Sequence, residues 1–324
     1  MGKLIRIGTR ESELAVWQAT RVQQLLQQHH FSSELVLIKS EGDIDLQTPL
    51  YEMGVQGIFT RSLDTALLNN KIDIAVHSMK DVPTQLPPGI AQACVLERAS
   101  YKDLFVYKPT ALSHEQWLLI NSEPAAFEAQ FDFGAGAFTI ATSSTRRKAQ
   151  WLNRFPGHHI DNLRGNVNTR LKKVAESNWQ GAVFAAAGVE RIGLRPASSI
   201  DLHWMLPAPA QGAIVVLARE NDQFCMEGCF HFNHTDTATC TKIERDFLRG
   251  LLGGCSTPIS GLAEVQDGQL SFKGNILSVD GRDKVSIEKL VPLQPAGTLG
   301  QTFAEEILQN GGKKIAEGIR NAAK

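Results

Sequence analysis

Short apolar runs and helical patterns alternate over the first ninety residues of the chain. Apolar residues near 4–8, 34–39 and 72–76 predict buried strands, and helical spacings over 12–26 and 58–68 predict helices, the first capped by Ser12. This strand–helix order is typical of an α/β domain with a mostly parallel sheet covered by helices. The third strand runs into the polar segment 77–81, at the carboxyl edge where such sheets bind ligands.

A second alternation repeats this arrangement further along the chain. Strands are predicted near 138–142, up to Leu163 and at 182–186, and each runs into a polar turn. The intervening stretch 110–136 is irregular and is interpreted as an insertion or a loosely packed hairpin. The apolar strand 213–217 follows both units and is expected to return to the first, which would make the first domain discontinuous.

A third pattern begins with a helix at about residue 243. Three alternating segments follow, near 261–265, 270–277 and 284–291, and then a pair of helices from about 299. Grouped strands and grouped helices predict a small α+β domain. The expected fold class is therefore α/β, with two mostly parallel sheets and a small C-terminal α+β domain. The expected boundaries are 1–103 with 212–231 for the first domain, 104–211 for the second and 232–324 for the third.

Composition and charge narrow the range of functions. The chain has 324 residues, enough for two or three domains, and a formal net charge of −1. It therefore has no overall field for nucleic acid or an anionic membrane, and any anion binding has to be local. No apolar run would span a membrane, and the first residues lead directly into a strand, so we expect neither a membrane segment nor a signal peptide. The five cysteines are expected to be reduced thiols in the cytoplasm, mostly buried.

Charged residues at the predicted strand ends carry the candidate chemistry. Lys80 and Asp81 follow the third strand; such a carboxylate could stabilise a developing cation or shuttle a proton, or the two could form only a solvated ion pair. Guanidinium groups bind carboxylates through two parallel hydrogen bonds, so several arginines at strand ends favour a polycarboxylate ligand over ordinary surface charge. These arginines are Arg10, Arg146, Arg147, Arg164, Arg170 and Arg191.

Cys255 differs from the other cysteines because it follows Gly253 and Gly254, which leave its sulfur little shielded. Two interpretations remain open at this point: a buried residue behind a helix C-cap, and a reactive thiol.

A separate group of thiols and imidazoles offers soft ligands for zinc. Its spacing matches no common zinc finger and favours a polar linker between domains. The group comprises Cys225, Cys229, His231, His234 and Cys240.

Motifs in a fixed order over nearly the whole chain resemble those of the porphobilinogen deaminase family, also called hydroxymethylbilane synthase. Segment 7–15 is similar to the family's opening, and 76–83 resembles its most distinctive motif. The arginine motifs correspond to 142–147, to 163–167 with Arg170, and to 186–188 with Arg191. Segments 211–213 and 253–255 complete the set.

The resemblance implies two domains like type II periplasmic binding proteins around a cleft, followed by a third domain. It implies that Cys255 carries a dipyrromethane cofactor through a thioether, and that Asp81 is the catalytic carboxylate. Asp81 would stabilise the azafulvenium cation left when porphobilinogen loses ammonia. Four condensations would extend the pyrrole chain on the cofactor, and hydrolysis would release the linear tetrapyrrole hydroxymethylbilane. No metal takes part in this chemistry.

The resemblance also implies a set of binding residues. Those implied for the cofactor, besides Cys255, are Ser78, Lys80, Thr142, Ser144, Arg146, Arg147, Arg164, Asn166, Arg170, Arg191 and Gln211. Those implied for the substrate are Arg10, Ser12, Arg147, Arg164, Arg170 and Arg191.

The chain departs from the family pattern at 54–59, where Gln56 replaces a usual loop lysine, so this loop is expected to act only as a lid. The sequence thus predicts a monomeric cytoplasmic transferase of tetrapyrrole and heme biosynthesis, with porphobilinogen as its substrate. One alternative is a non-enzymatic polycarboxylate-binding protein of periplasmic-binding type, which gives Cys255 no role. Another is a zinc-stabilised regulatory protein that uses the 225–240 cluster.

Overall fold

The computed structural model describes residues 3–40, 60–109, 112–129, 138–251, 253–254, 257–293 and 297–322. Cys255, the loop 54–59 and parts of the stretch 110–136 therefore lie outside the described residues. In the described residues, no helix is both long enough and apolar enough to cross a membrane.

The strands of the described residues form three sheets. In chain order they are β1 (Ile5–Thr9), β2 (Ser33–Leu37), β3 (Ile74–Ser78), β4 (Ile90–Val95), β5 (Asp103–Tyr107), β6 (Thr139–Ala141), β7 (His159–Asp161), β8 (Gly181–Ala185), β9 (Ser199–Leu202), β10 (Ile214–Arg219), β11 (Ile259–Gln266), β12 (Gln269–Leu277) and β13 (Lys284–Pro292).

The helices pack on the faces of these sheets. They are α1 (Glu13–Gln28), α2 (Arg61–Leu68), α3 (His114–Leu118), α4 (Pro124–Glu128), α5 (Thr145–Arg154), α6 (Val167–Glu176), α7 (Ala186–Glu190), α8 (Gln223–Phe230), α9 (Thr235–Gly250), α10 (Leu299–Ile307) and α11 (Lys313–Ala322). A single 3-10 turn, Met79–Asp81, follows β3 directly.

The first two sheets have the same topology. Their strand orders are β2-β1-β3-β10-β4 and β7-β6-β8-β5-β9, each with two parallel pairings followed by two antiparallel ones. Because β10 pairs with β3 and β4, the chain returns to its first sheet after building the second. The α/β class predicted from the strand–helix order is confirmed. The parallel strands in each sheet end at the same edge, where the polar turns follow β3, β6 and β8.

The third sheet is antiparallel, in the order β11-β12-β13, and is covered by α9 and α10. Its core contains three aromatic rings: Phe247 and Phe272 meet edge to face at 5.0 Å, and Phe272 stacks on Phe303 at 4.8 Å. This unit also contacts α5, where Asn153 Nδ2 donates to the Gly281 carbonyl at 2.7 Å. Gln150 Nε2 donates to Ser260 Oγ at 3.1 Å. The small α+β unit predicted from the C-terminal pattern is confirmed.

Two expectations for irregular segments were wrong. Residues 112–129 contain α3 and α4. These helices bury Trp117 and Phe127 in the core beside the second sheet, where Trp117 stacks on Tyr107 at 5.0 Å. These helices have five residues each, too few to show a helical period, although Ser113 caps α3 with a reciprocal capping box. The segment 225–240 is not a polar linker either, because it contributes most of α8 and the beginning of α9.

Two chain segments, 96–102 and 203–213, cross between the first and second sheets. They approach closely at Gly212, which has a φ of +88°; a Cβ there would lie 2.7 Å from the Ala99 carbonyl oxygen. Only glycine fits this combination of backbone angle and contact.

Glu244 of α9 joins these crossing segments to the third sheet. Its carboxylate is fully buried and accepts hydrogen bonds from Arg98 Nη1 at 2.6 Å, from the Ala210 amide at 2.6 Å and from the Ala263 amide at 2.7 Å. A buried carboxylate is stable only when it is paired and hydrogen-bonded, and Glu244 meets both conditions.

We expect Arg98→Met to lower the free energy of unfolding by about 3–5 kcal/mol, because it leaves Glu244 buried without its cation. Urea denaturation would measure this. Arg195→Met is a suitable control, since Arg195 pairs with Glu190 and Asp201 at a largely exposed site; its cost should stay below about 1 kcal/mol. Equal losses in the two variants would show that the Arg98 pair does not hold the junction.

Candidate active site

The segment that follows β3 presents Lys80 and Asp81 at the carboxyl edge of the first sheet. Residues 79–81 form one 3-10 turn, and the side chains of Lys80 and Asp81 are partly exposed. Burial lowers the pKa of Lys80 to about 8, with the nearby charge of Asp81 acting in the opposite direction. Lys80 therefore titrates closer to neutrality than an ordinary lysine, and it lies near a carboxylate.

His77 and Ser78 support this turn from within the sheet. Burial lowers the pKa of His77 to about 3, and the charge of Arg10 lowers it further, so the imidazole is neutral. The Ser78 hydroxyl lies 2.9 Å from Gln18 Nε2 of α1, which donates to it. Ser78 is thus held in place by α1.

The hydroxyl-rich turn after β6 shapes the beginning of α5. Thr142 Oγ1 accepts a hydrogen bond from the Ser144 amide at 3.2 Å, and Ser144 Oγ caps α5 by accepting from the Arg147 amide at 3.4 Å. These bonds satisfy amides of the turn and of the first helical turn. Arg146 and Arg147 therefore lie in the first turn of α5, and both side chains are buried.

Asp103 is the partner of both arginines, and sequence reasoning missed it. This fully buried carboxylate begins β5; its Oδ2 lies 2.7 Å from Arg146 Nη2, and its Oδ1 accepts from Arg147 Nη2 at 2.8 Å. Burial acts to raise the pKa of Asp103, but the charges of Arg146 and Arg147 outweigh it and lower the pKa. The pair of arginines therefore carries one compensating negative charge within the protein.

Gln211 links this ionic group to the crossing segment 203–213. Its Nε2 donates to Asp103 Oδ1 at 2.9 Å and to the Tyr101 carbonyl at 2.7 Å, while its Oε1 accepts from Arg146 Nη2 at 3.4 Å. The structure thus places Gln211 beside Arg146, and the amide ties together the two segments that connect the sheets.

Arg164 and Arg170 flank the beginning of α6. Asn166 caps this helix, with Oδ1 accepting from the Thr169 amide at 2.9 Å. The pKa of Arg170 is lowered to about 10. Burial is the largest cause, the charges of Arg147, Arg164 and Arg10 act in the same direction, and the charge of Asp81 opposes them. Arg170 Nε is buried and has no hydrogen-bond partner among the described residues. An anion at this site would give that N–H an acceptor and relieve the repulsion between the guanidinium groups.

Arg191 reaches the same edge from the end of α7. Its Nη2 donates to the Gly212 carbonyl at 2.6 Å, and its guanidinium lies 5.8 Å from the centroid of the Trp17 ring. Burial lowers its pKa to about 10. Arg10 and Ser12 lie between β1 and α1; Ser12 occupies the N-cap position, without a capping bond from its side chain.

The cationic groups thus converge at the facing edges of the first two sheets. The edge of the first sheet carries Arg10 and Lys80, together with the carboxylate Asp81. The edge of the second sheet carries Arg146, Arg147, Arg164 and Arg170. The charges of these groups act on one another. The guanidinium groups outnumber the two nearby carboxylates, Asp81 and Asp103, and can bind a ligand that carries several carboxylates. The same arrangement leaves Asp81 available to a positive centre on that ligand.

Cys255 lies outside the described residues. The packing around Gly253, two residues before it, explains why that position is glycine. A Cβ at Gly253 would lie 2.5 Å from Ile259 Cδ1 and 2.6 Å from Leu248 Cδ1. The chain therefore passes close to the third core immediately before Cys255.

The thiols and imidazoles of 225–240 are dispersed among different surroundings. Cys225 and Cys229 are buried in the first core and Cys240 in the third. His234 caps α9, and the exposed His231 stacks on His29 at 4.9 Å. No group of three metal-ligating side chains occurs within the described ranges.

Comparison with protein-family models gives two matches that together cover most of the chain. Residues 5–227 match "Porphobilinogen deaminase, dipyromethane cofactor binding domain". Residues 238–309 match "Porphobilinogen deaminase, C-terminal domain".

Curated relatives match over nearly their full length. The porphobilinogen deaminase of Pelobacter propionicus is 37% identical over 319 residues, covering 97% of this chain and 97% of that protein. The enzyme of the same name from Syntrophomonas wolfei is 39% identical over 315 residues, covering 96% and 97%. That of Geobacter sulfurreducens is 38% identical over 315 residues, covering 96% and 93%.

Solved structures with a similar arrangement are more distant. The P235GK mutant of ArgBP from T. maritima has a TM-score of 0.36 and 9% identity, covering 71% of this chain and 87% of that one. A double mutant of the VFT2 domain of BvgS from Bordetella pertussis has a TM-score of 0.38 and 12% identity, covering 73% and 91%.

Proposed function

Because this chain belongs to the porphobilinogen deaminase family, we propose that the cationic edge described above holds its pyrrole carboxylates and that Asp81 is its catalytic carboxylate. The chain is an enzyme, a transferase of heme biosynthesis that condenses porphobilinogen and uses a dipyrromethane cofactor. Family membership disfavours the alternative of a non-enzymatic polycarboxylate-binding protein.

The donor set fits dipyrromethane, whose side chains are carboxylates. Arg170 Nε is buried without an acceptor among the described residues, and guanidinium charge is crowded around it; bound carboxylates would satisfy both features. When bound, the cofactor supplies a covalently attached primer to which pyrrole units are added. We propose that Cys255 anchors it. The residues proposed to hold its carboxylates and rings are Ser78, Lys80, Thr142, Ser144, Arg146, Arg147, Arg164, Asn166, Arg170, Arg191 and Gln211.

We propose that Asp81 stabilises the cation that forms in this reaction. Departure of ammonia from porphobilinogen builds positive charge on the pyrrole ring, and a fixed carboxylate lowers the energy of that state more than that of the neutral ring. Arg10, Ser12 and the arginines of the second sheet would bind the substrate's own carboxylates and orient its ring. This proposal rests on one observation. The charge of Asp81 acts both on Lys80, which follows a strand of the first sheet, and on Arg170, which lies in α6 beside the second sheet.

The remaining expectations stay proposals. We propose a monomer that acts in the cytoplasm without nucleic acid; the net charge of −1 and four buried free thiols support this. We propose a first domain of 1–103 with 212–231, a second of 104–211 and a third of 232–324. The place of β10 in the first sheet supports a discontinuous first domain, whereas β5, which begins at Asp103, belongs to the second sheet.

We propose that Lys80 attracts carboxylates of the incoming substrate as well as those of the cofactor. Substrate affinity should then fall as the pH rises through about 8, because Lys80 loses its charge. In Lys80→Arg the guanidinium stays protonated, so KM for porphobilinogen should remain flat up to about pH 9. Arg170, with a pKa of about 10, stays charged over this range in both proteins. Steady-state kinetics between about pH 7 and 9 would measure the difference; parallel KM profiles would remove Lys80 from this role.

Replacing Arg170 tests the carboxylate site directly. We expect Arg170→Met to raise KM for porphobilinogen by about 10- to 100-fold, the value of a charge-assisted hydrogen bond. Lys172→Met is a matched control, since Lys172 is an exposed residue of α6 that pairs only loosely with Glu176. Ammonia release and tetrapyrrole formation would both be followed. An unchanged KM in Arg170→Met would contradict the proposed site.

A further inference from the structure

Arg245, a residue of α9, contacts the segment that carries Lys80 and Asp81. Its Nη1 donates to the Val82 carbonyl at 2.8 Å and to the Met79 carbonyl at 3.2 Å. Its Nη2 donates to the Pro83 carbonyl at 2.5 Å. One guanidinium therefore binds backbone oxygens on both sides of Asp81.

This segment has few other backbone restraints in the described structure. The Met79 amide donates to the Ala213 carbonyl at 3.0 Å, and the Val82 amide donates to the Met79 carbonyl at 3.2 Å within the 3-10 turn. Beyond Ser78 the segment has left the ladder of β3 and β10. A planar guanidinium is suited to hold such a turn because its donors are fixed relative to one another. Hydrogen bonds from a charged donor are stronger than those between neutral groups.

The helix that carries Arg245 is itself firmly placed. The preceding residue, Glu244, binds Arg98 and the amides of Ala210 and Ala263. The same helix ends at Gly250, and the chain continues through Gly253 and Gly254 to Cys255. This helix thus holds the Asp81 turn from its side, and the chain that continues from its end leads in sequence to Cys255.

We propose that Arg245 is a positioning residue, which fixes the Asp81 turn relative to the helix that leads to Cys255. It acts through the backbone of residues 79–83 and touches no substrate. The inference rests on the proposed role of Asp81. It predicts a loss in turnover rather than in substrate binding, because misplacing a reacting group by about 1 Å costs up to about 10²-fold in rate.

The test compares Arg245→Met and Arg245→Lys with Arg249→Met. Arg249 lies one turn further along α9 and pairs with Asp246 at a half-exposed site, so its variant should match the parent enzyme. We expect Arg245→Met to lower kcat by about 10- to 100-fold with KM changed less than about 3-fold. Arg245→Lys, which keeps the charge on a smaller donor, should fold like the parent and lose kcat to an intermediate extent.

A second measurement does not depend on the cofactor. In the Cys255→Ser background, Arg245→Met should speed hydrogen exchange at the amides of residues 79–82, and Arg249→Met should not. In the Asp81→Asn background, Arg245→Met should lower the residual kcat by less than about 3-fold, since the group that it positions is already disabled.

The inference would be overturned by a normal kcat in both Arg245 variants, by unchanged exchange at 79–82, or by an equal fold-loss in the Asp81→Asn background. Its failure can be told from that of the proposed function. If Asp81→Asn abolishes turnover while the Arg245 variants are normal, only the inference fails. Near-normal turnover in Asp81→Asn itself contradicts the assignment of Asp81.

Discussion

Asp81→Asn should lower kcat for porphobilinogen by about 10²- to 10³-fold, the usual cost of removing one group that stabilises charge in the transition state. Asparagine has nearly the shape of aspartate but no charge, so ammonia would leave without a fixed anion nearby. Lys80 and the arginines remain in place, and KM should therefore change little. This combination identifies a group that acts in the transition state rather than in substrate binding.

The measurement is steady-state formation of tetrapyrrole together with intact-protein mass, which reports whether the cofactor is still attached. Asp201→Asn is a suitable control, because Asp201 is a partly exposed carboxylate that pairs with Arg195. It should retain the parent's kcat. A kcat for Asp81→Asn within about 3-fold of the parent would leave the developing charge to another group.

Cys255→Ser should abolish covalent attachment of the cofactor and, with it, turnover. A thiolate is a far better nucleophile at neutral pH than a serine hydroxyl, so serine should not form the corresponding bond. Intact mass under denaturing conditions should show an excess of two linked pyrrole units in the parent protein. The variant should have the mass of its sequence alone.

A matched control uses a different cysteine. Burial raises the pKa of Cys240 to about 12, so it remains a thiol at neutral pH and is a poor nucleophile. Cys240→Ala should therefore keep the added mass of the parent. An added mass that survives in Cys255→Ser, or that disappears in Cys240→Ala, would place the anchor elsewhere.

The fold was predictable where the apolar pattern was long or alternating. The strands β1, β3 and β10 are short buried runs, and the turn after β3 was expected at the carboxyl edge because parallel strands end together. The return of β10 to the first sheet followed from its place in the chain after two complete units. The amphipathic period of α1 was likewise visible, with Ser12 at its N-cap.

The remaining features depend on contacts that the sequence pattern does not encode. Asp103 looks like any residue at the beginning of a strand, and only its burial between two arginines distinguishes it. The helix α9 begins at Thr235, earlier than its apolar period suggested, because His234 caps it through a bond from the Thr237 amide at 3.2 Å. Arg245 acts on backbone carbonyls some 160 positions away, where no side-chain motif records the contact.

The contacts of the third sheet's unit have a consequence for how the enzyme moves during elongation. The unit binds the crossing segment 96–102 and the segment after β3 through charged groups, Arg98 with Glu244 and Arg245 with the Val82 carbonyl. It meets α5 of the second sheet through neutral amides, Asn153 and Gln150. Charge-assisted hydrogen bonds are about twice as strong as neutral ones. The contact between the third sheet's unit and α5 should therefore open first. As the product lengthens, we expect the first and third units to travel together while the second slides away from both.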